Sequence, residues 1–535
     1  MFLIMSAAYI TQELRSEFGA LPPSFLPLGN RRLFQHQVRL APENSKVYMT
    51  LPESFEVSDF DARWLAERNV NIIKLPDGLS LGASLVTALN LIEQGLETPL
   101  HILFGDTLID PLPHGDDLVA VATVEDNYDW AIVSENDDNW LVSSQDTMEA
   151  NQHSVVTGYF KFSSPRQLIR CITRCNWQFL EGLGQYRKAI GLSTVKVSNW
   201  LDFGHANTYF RSKSAHTTQR VFNDLKITPS WIEKSGTHGA KIEAEANWFE
   251  SLPPMLRRFT PQYLGRPEGL NESAYRLEYL HHTPLNELYV FADIPPLLWK
   301  KIFKECFSFL GECAAHSNRG GTQPAADMSA LFTEKTTARL ESFSLETSIQ
   351  VDSVFQFRSQ GTEARTFELS IEDLVKGSEN RLPTSEAAST LVHGDFCFSN
   401  VLYEFRTNRI KVIDPRGLTP SGEQSIFGDI RYDLAKLSHS VLGMYDWIIA
   451  GYHHTVFNGR EISIVLPETP KLHDIQQLFL EMVESQFSVT PTELYAMQIQ
   501  LFLSMLPLHN DDKHRQEALI ANAFRLYDIM ERHRQ

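Results

Sequence analysis

Two neighbouring stretches of sequence indicate the fold of the carboxy-terminal part of the chain. They are Leu391-Val-His393-Gly-Asp395-Phe-Cys-Phe-Ser-Asn400-Val-Leu and Ile410-Lys-Val-Ile-Asp414-Pro-Arg-Gly417. Asp395 lies at the mouth of a loop that contains Asn400, and Asp414 closes the apolar strand that follows. Phosphoryl transfer needs groups of these kinds. One carboxylate orients the attacking hydroxyl and accepts its proton, while an amide oxygen and a second carboxylate hold Mg²⁺ against the nucleotide phosphates. A solvated turn between two strands is the alternative, but a chance turn would not reproduce both halves of the pattern.

This stretch resembles the catalytic loop of the aminoglycoside phosphotransferase and choline kinase family, which reads HxDxxxxN and is followed by a metal-binding Asp at the end of a strand. Gly428-Asp429-Ile-Arg-Tyr-Asp433-Leu-Ala resembles the next motif of that family. The resemblance implies that Asp395 and His393 form the catalytic group, with Asp395 as the base and His393 bracing the loop. It further implies that Asn400 and Asp414 bind Mg²⁺ and that ATP is the phosphoryl donor. We expect Asp429 and Asp433 to support the loop rather than to contact substrate.

The resemblance, which extends from about residue 217 to the end, implies an ATP-binding lysine with a glutamate partner upstream. Lys234 ends an apolar strand, and Glu245 lies on the helix that follows. A lysine there neutralises phosphate charge, and a helix glutamate holds the lysine in place. Lys241 and Glu243 are competing choices, and a surface salt bridge is the alternative for any of these residues.

The segment Tyr275-Arg-Leu-Glu278-Tyr279-Leu280 resembles the hinge strand of the same family, which implies that Glu278 and Leu280 lie at the adenine. A β-rich small lobe over about 213–285 and a helical lobe over about 286–535 then form a two-lobed, α+β, protein-kinase-like domain. Helical patterns dominate from residue 295 onward and are interrupted by a strand, loop and strand over 390–413. Residues 318–326 are a candidate mobile loop.

The amino-terminal residues alternate between apolar runs and one helical pattern. Strands are predicted over 1–6, 69–75 and 100–104, with a helix over 84–93 between the last two, which is typical of a βαβ unit and a mainly parallel sheet. Further strands are predicted over 118–124, 130–133 and 155–162, and a single helix over 165–180. The polar stretch 211–218 is typical of a loop. The domain boundary is therefore predicted between 212 and 213.

Residues 1–212 resemble the sugar-phosphate nucleotidyltransferases, which implies a Rossmann-like α/β domain. The residues that carry this resemblance are Pro22-Pro-Ser-Phe-Leu-Pro27-Leu-Gly29, Leu103-Phe-Gly-Asp106 and Trp200-Leu-Asp202-Phe-Gly204. The resemblance implies that Asp106 and Asp202 bind a metal, and that CTP or another nucleoside triphosphate is a second nucleotide. Two carboxylates at strand ends have the chemistry to hold Mg²⁺ against phosphates.

This chain departs from that family at the phosphate loop. In the family the loop is rich in glycine, because backbone N–H groups must approach the phosphates closely. This chain has Ala7-Ala-Tyr-Ile-Thr-Gln-Glu13-Leu14 instead, with Glu13 where an Arg is expected and Pro23 where a Lys is expected. Two alternatives therefore stay open. The domain either transfers nucleotidyl groups, or retains only a binding or structural role.

Composition excludes several classes of function. The chain has 48 Lys+Arg against 66 Asp+Glu, a formal net charge of −18, which disfavours nucleic acid or a membrane surface as a partner. No apolar run is long enough for membrane insertion, and the five scattered cysteines are typical of a reduced, cytoplasmic protein. We expect a small-molecule substrate. The oligomeric state cannot be inferred from the sequence.

The two resemblances together imply an ATP- and Mg²⁺-dependent phosphotransferase that acts on a hydroxyl of a sugar, polyol or amino alcohol, in the synthesis of a surface polysaccharide precursor. A bifunctional kinase and nucleotidyltransferase is one alternative. A kinase whose amino-terminal domain is catalytically dead but binds a ligand is the other.

Overall fold

A computed structural model describes residues 1–92, 96–124, 131–133, 141–143, 153–220, 225–236, 239–267, 273–317, 328–359, 364–385 and 387–533. The chain forms two compact units. Unit 1 comprises Met1–Gln219 and Phe291–Asp293, and unit 2 comprises Arg220–Val290 and Ile294–Gln535. The candidate mobile loop over 318–326 lies outside the described residues.

Unit 1 is built on a nine-stranded mixed sheet and a separate strand pair. Its strands are β1 (Phe2–Met5), β2 (Val47–Pro52), β3 (Val70–Leu75), β4 (Leu100–Phe104), β5 (Thr107–Ile109), β6 (Leu118–Val124), β7 (Ala131–Val133), β8 (Leu141–Ser143), β9 (His153–Phe162), β10 (Ser193–Lys196) and β11 (Trp200–Asp202). The main path of the sheet runs β10-β6-β9-β4-β1-β2-β3. Strands β4, β1, β2 and β3 are parallel, as predicted, but β9 is antiparallel to both β4 and β6.

Seven helices of unit 1 lie in the described residues: α1 (Gln12–Phe18), α2 (Leu33–Gln37), α3 (Asp59–Glu67), α4 (Leu81–Leu91), α5 (Pro165–Arg174), α6 (Phe179–Ala189) and α7 (Ala206–Arg220). The prediction of one helix over 165–180 is wrong, because Asn176 and Trp177 adopt left-handed φ angles of 51° and 67° that interrupt it. Leu85 and Leu89 of α4 pack with Leu3 and Phe160 of the sheet in one buried core. Burial of this apolar surface is the main stabilising term.

The predicted loop over 211–218 is also wrong, since α7 continues through it to Arg220. Tyr209, Phe210 and His216 are buried along this helix, so tertiary packing outweighs its polar composition. The helix therefore runs across the predicted boundary between 212 and 213, and the two units separate after Gln219.

Unit 2 contains several small sheets among long helices. Its strands are β12 (Leu225–Ile227), β13 (Trp231–Ser235), β14 (Tyr263–Gly265), β15 (Ala274–Glu278), β16 (Thr283–Pro284), β17 (Val354–Arg358), β18 (Thr366–Ser370), β19 (Thr390–Leu391), β20 (Val401–Glu404), β21 (Arg409–Val412), β22 (Phe427–Gly428), β23 (His454–Asn458) and β24 (Glu461–Val465). Its helices are α8 (Gly239–Ser251), α9 (Leu285–Phe291), α10 (Pro296–Ala314), α11 (Lys335–Glu346), α12 (Ile371–Glu379), α13 (Ile430–Val441), α14 (Tyr445–Ile449), α15 (Pro470–Phe487), α16 (Pro491–Ser504) and α17 (Lys513–Arg532).

The β-rich start and helical remainder of unit 2 match the pattern expected from the sequence, with one addition. Strands β12, β13, β15 and β14 form one sheet, and β19, the loop and β20 follow where a strand, loop and strand were predicted. The addition is a sheet of order β18-β17-β24-β23 inside the helical part, which the sequence analysis did not predict. Within the described residues, no helix is both long and apolar enough to span a membrane.

Candidate active site

The catalytic loop between β19 and β20 is held by helix α13. Asp433 on α13 accepts hydrogen bonds from the backbone N–H groups of His393 and Gly394, at 2.6 and 2.7 Å. Gly394 has a φ of 80°, and a Cβ there would lie 2.7 Å from the Cβ of Arg416, so only glycine fits without displacement. Asp429 caps the amino-terminal end of α13, since its carboxylate accepts a hydrogen bond from the Arg431 N–H. Asp433 therefore supports the loop directly, and Asp429 stabilises the start of the helix that carries Asp433.

His393 positions the loop from inside the core. Its side chain is buried, and Nε2 donates to the carbonyl oxygen of Ile413 at 3.0 Å, which leaves Nδ1 to accept from the N–H of Asp395 at 3.3 Å. Burial lowers the pKa of His393 to about 4, so the ring is neutral at physiological pH. The ring therefore links Ile413 to the backbone of Asp395, and its part in catalysis stays a prediction.

Asp395 points into a cleft and keeps its negative charge there. Lys436 Nζ lies 2.8 Å from Asp395 Oδ1, and the Asn400 amide Nδ2 donates to Asp395 Oδ2 at 3.1 Å. Burial alone would raise the pKa of this carboxyl, but the charge of Lys436 outweighs it and lowers the pKa to about 2. Asp395 is thus ionised and oriented for a hydrogen bond from a hydroxyl.

Asn400 and Asp414, the two predicted Mg²⁺ ligands, line the same cleft as Asp395. Asn400 Nδ2 donates to Asp395, and Asn400 Oδ1, the atom that would face a metal ion, accepts only a long hydrogen bond from the Ser399 hydroxyl at 3.5 Å among the described residues. Asp414 follows β21 with a left-handed φ of 56°, and its side chain is 48% exposed. One carboxylate and one amide oxygen, with phosphate and water oxygens as the remaining ligands, suit Mg²⁺. The donor set therefore fits the ion.

Lys234 on β13 and Glu245 on α8 form the ion pair that the sequence predicted. Their Nζ and Oε2 atoms are 2.7 Å apart, Lys234 also lies 3.1 Å from Asp414 Oδ1, and Glu245 is buried with a hydrogen bond from Tyr275 at 2.8 Å. Burial lowers the pKa of Lys234, but the charges of Asp414 and Glu245 raise it above its ordinary value. The lysine is therefore held charged beside the candidate metal ligand.

The competing residues on α8 are placed differently. Lys241 is 63% exposed and 3.9 Å from Glu245, while Glu243 accepts a hydrogen bond from Ser273 at 3.0 Å. The structure thus favours Lys234 and Glu245 as the buried pair.

Glu278 and Leu280, the predicted hinge residues, are not among the residues that line the cleft. The cleft, about 590 Å³ in volume, is lined by Lys234, Glu245, Asp395, Asn400 and Asp414 together with residues of the helical part, but not by Glu278 or Leu280. Glu278 ends β15 and accepts a hydrogen bond from Gln262 N at 3.3 Å. Their contact with adenine stays a prediction.

Among the residues that line the cleft and were not predicted as site residues are Lys335, Arg339, Arg416, Tyr432 and Lys436. Lys436 had a signal, since it lies one residue beyond the Gly428-to-Ala435 motif and one helical turn from Tyr432. Arg416 lies within the quoted Asp414-Pro-Arg-Gly417 stretch. No sequence signal indicated Lys335 and Arg339, because they lie on helix α11, which is far from the catalytic loop in the sequence.

Unit 1 contains a second candidate site, around the two predicted carboxylates. Asp106 follows β4 and Asp202 ends β11, and the Phe203 N–H donates to Asp106 O at 2.8 Å. A Cβ at Gly204 would contact both carboxylates, and Asp202 Oδ2 is buried without a hydrogen-bond partner among the described residues. Burial raises the pKa of both groups, with the Asp106 charge adding to the effect at Asp202. Such a pair fits a divalent cation.

Two clefts of unit 1 are lined by Asp202, and their charges differ. One, about 810 Å³ in volume, has Asp106, Asp202 and Glu181 but no Lys or Arg in its described lining, whereas the other, about 580 Å³, is lined also by Lys196 and Arg211. The segment that replaces the glycine-rich loop is closed by side chains: Ile10 is buried, and the Tyr9 hydroxyl is 2.7 Å from that of Ser54. Close backbone approach to phosphates is therefore obstructed here.

No protein-family model and no curated protein matches this chain. Among solved structures, the inositol-1-phosphate CTP transferase from T. maritima is 13% identical with a TM-score of 0.31, and the match covers 40% of this chain and 95% of that one. An aminoglycoside-3'-phosphotransferase of type VIII is 13% identical with a TM-score of 0.30, covering 57% and 92% respectively. A glucosamine kinase solved with glucosamine, ADP and inorganic phosphate is 12% identical with a TM-score of 0.35, covering 60% and 86%.

Both classes of protein that the sequence resembles are thus represented among the structures similar to this chain. Identities of 12–13% do not establish an activity.

Proposed function

We propose that unit 2 is a phosphotransferase that moves the γ-phosphoryl group of ATP to a hydroxyl of a small metabolite. The observation that carries the proposal is the convergence of Asp395, Asn400, Asp414 and Lys234 on one cleft of about 590 Å³. An ionised carboxylate, two oxygen ligands for Mg²⁺ and a charge-paired lysine are the groups that phosphoryl transfer requires.

The geometry supports a direct transfer. The acceptor hydroxyl donates a hydrogen bond to Asp395, its oxygen attacks the γ-phosphorus, and the bond from that phosphorus to the bridging oxygen of ADP breaks. The hydroxyl proton passes to Asp395 as the new P–O bond forms. Lys234 and Lys436 offset phosphate charge on either side of the loop, and His393 keeps Asp395 in place. Mg²⁺, held by Asn400 and Asp414, supplies charge neutralisation on the nucleotide phosphates when bound.

The test is ADP release from ATP and Mg²⁺ against a panel of sugars, polyols, amino alcohols and aminoglycosides. We expect turnover on at least one acceptor, and a loss of about 10²-fold or more in Asp395→Asn, because general-base catalysis contributes at least that much. Absence of both turnover and ATP binding would contradict the proposal.

A matched pair of variants on helix α8 tests the ATP-binding lysine. Glu245→Gln removes the charge that holds Lys234, so we expect KM for ATP to rise about tenfold, as for a lost charge-assisted hydrogen bond. Glu243→Gln on the same helix is the control, since Glu243 bonds to Ser273 and does not line the cleft. Equal effects of the two variants would argue against a role for the Lys234–Glu245 pair.

The acceptor is proposed to be a sugar, polyol or amino alcohol, and its phosphorylation a step towards a surface polysaccharide precursor. This finer proposal is supported by the resemblance of residues 1–212 to sugar-phosphate nucleotidyltransferases, and by ATP as the donor. The protein is proposed to act in the cytoplasm.

For unit 1 we propose that Asp106 and Asp202 bind a divalent cation. Nucleotidyl transfer from CTP or another nucleoside triphosphate, as part of a bifunctional enzyme, is one alternative. A binding domain without turnover is the other, and the segment Ala7 to Leu14, which has no glycine where the phosphate loop is expected, favours the latter. The test supplies the phosphorylated product and each nucleoside triphosphate as substrates and measures pyrophosphate release. Release that is lost when Asp106 or Asp202 is substituted would support the bifunctional enzyme.

A further inference from the structure

Besides Lys234 and Lys241, four cations line the cleft that contains Asp395. Lys335 Nζ, on α11, lies 3.0 Å from the Tyr432 hydroxyl, and Arg416 NH1 lies 3.5 Å from the same oxygen. Lys436 is one turn beyond Tyr432 on α13 and contacts Asp395. Arg339, one turn beyond Lys335, also lines the cleft. These residues form a continuous positive surface that begins at the catalytic carboxylate.

Three of these four cations lack a counter-charge. Lys436 pairs with Asp395, but within the described part of the chain Lys335, Arg339 and Arg416 form no ion pair. The chain as a whole carries a formal charge of −18, so a surplus of positive charge at one point is not a general property of its surface. Unpaired cations that are partly removed from water are costly, and a bound anion offsets that cost.

The electrostatics of the cluster agree with its geometry. Burial lowers the pKa of Lys335, and the charges of Arg416 and Arg339 lower it further, against the raising effect of Tyr432. Burial would raise the pKa of the Tyr432 phenol, but Lys335, Lys436 and Arg416 together lower it below its ordinary value. The field of the cluster is therefore strong enough to favour negative charge at its centre.

The cluster comes chiefly from other elements than the residues that suit the nucleotide. Lys234, Asn400 and Asp414 suit the nucleotide phosphates and their metal, whereas the cluster belongs chiefly to helices α11 and α13. His439, also on α13, lines the same cleft, and both of its buried ring nitrogens have no hydrogen-bond partner among the described residues. A polar ligand that reaches Asp395 along these helices would meet polar groups that still lack a partner.

We propose that the phosphoryl acceptor carries, besides its hydroxyl, an anionic group that binds between Lys335, Arg339 and Arg416. A carboxylate and a phosphate monoester share the required chemistry, since both accept charge-assisted hydrogen bonds from Lys and bidentate ones from Arg. The inference rests on the proposed phosphotransferase activity and narrows its substrate class. Amino alcohols and aminoglycosides, which are cationic, are disfavoured by the same charges.

The test compares acceptors that share a carbon skeleton and differ in the charge of one substituent. Glycerol, glycerate and glycerol 3-phosphate form one set, and glucose, glucuronate, glucose 6-phosphate and glucosamine form another. Each is assayed for kcat and KM by ADP release at saturating ATP and Mg²⁺. The carboxylate and phosphate members separate the two kinds of anion. We expect an anionic member to exceed its neutral counterpart by about tenfold or more in kcat/KM, as for a charge-assisted hydrogen bond gained.

Variants locate the anion. Lys335→Gln and Arg416→Gln are expected to raise KM for the anionic acceptor about tenfold with little change in kcat, and to leave KM for its neutral counterpart unchanged. Lys335→Arg should restore most of the affinity. Lys376→Gln, at a lysine that is 70% exposed and does not line the cleft, is the matched control. Preference for a neutral or cationic acceptor, or equal loss on all acceptors, would overturn the inference.

A binding measurement separates this inference from the proposed function. Calorimetric titration of the full chain with glycerol 3-phosphate and with glycerate, without ATP, should show binding of at least one that is lost in Lys335→Gln. Failure of both to bind, with ADP release still observed on a neutral acceptor, overturns the inference and leaves the phosphotransferase intact. Loss of ATP binding and of all ADP release instead contradicts the phosphotransferase itself.

Discussion

At the scale of single residues, the contact between Lys436 and Asp395 governs how the site responds to pH. The ammonium group lies 2.8 Å from the carboxylate and, against the effect of burial, lowers its pKa to about 2. Asp395 is consequently deprotonated throughout the range in which most proteins stay folded. Activity should therefore show no acid limb from this group above about pH 4, near the ordinary pKa of Asp.

Lys436→Met tests this dependence. Removal of the cation leaves burial as the larger influence, so the pKa of Asp395 rises and protonation inactivates the base at a higher pH. We expect the acid limb of kcat/KM to move above the ordinary Asp value of about 3.9. The profile is measured with one acceptor in both proteins, and Lys376→Met serves as the control. An unchanged acid limb would mean that Lys436 does not set the charge of Asp395.

At the scale of elements, helix α13 holds the catalytic loop chiefly through Asp433. Both carboxylate oxygens of Asp433 accept backbone N–H groups of the loop, and its pKa is raised to about 7 by burial against those hydrogen bonds. The Ser440 hydroxyl on the same helix accepts a third, from Phe398 N–H, so two of these three backbone hydrogen bonds depend on Asp433. Rigid support of this kind is what places a catalytic group accurately.

Asp433→Asn should weaken that support. The amide has one acceptor oxygen, so one loop N–H loses its partner, which costs about 1–3 kcal/mol in the free energy of unfolding. Urea unfolding of the full chain measures the loss. Asp446→Asn is the matched control, because Asp446 is also buried with a pKa raised to about 7, but its Oδ2 has no hydrogen-bond partner among the described residues. Equal destabilisation by the two variants would argue against a special role for Asp433.

At the scale of the whole molecule, the described residues that line each candidate site belong to a single unit. The cleft around Asp395 is lined by residues of unit 2, and the cleft around Asp106 and Asp202 by residues of unit 1. Substitutions in one site are therefore expected to leave the chemistry of the other unchanged.

Cation binding by unit 1 tests this independence. At ten times its Kd, Mn²⁺ or Mg²⁺ stabilises a binding unit by about 1.4 kcal/mol, which corresponds to a rise of about 3–6 °C in the melting temperature of a unit of this size. Calorimetry should show the rise in the wild type and its absence in Asp202→Asn, while ADP release by unit 2 stays the same. A cation-dependent rise that persists in both Asp106→Asn and Asp202→Asn would place the ion elsewhere.

The sequence predicted those parts of the site that are local in the chain. Asp395, Asn400 and Asp414 follow one another in a strand, loop and strand, and Lys234 and Glu245 are only 11 positions apart in the sequence, so each set could be recognised from a short stretch of chain. Lys335 reaches Tyr432 across 97 positions of sequence, and no local pattern indicates such a contact.

The errors in the predicted fold have the same origin. Helix α7 forms where the composition is polar because buried aromatic contacts stabilise it. Strand β17 finds a parallel partner in the distant β24, and so the sheet inside the helical part was missed. Tertiary contacts outweigh local propensity in both cases.

The left-handed backbone of Asp414 determines how mutagenesis of the metal site can be interpreted. At a φ of 56°, Asn and Gly are tolerated, whereas a residue such as Ala adds conformational strain of about 1–2 kcal/mol. An alanine scan would therefore mix two effects at this position, the missing carboxylate and a distorted turn. Asp414→Asn removes the charge alone, and Asp414→Gly removes the side chain without that strain. The difference between the alanine and glycine variants would measure the turn itself, separately from the ion.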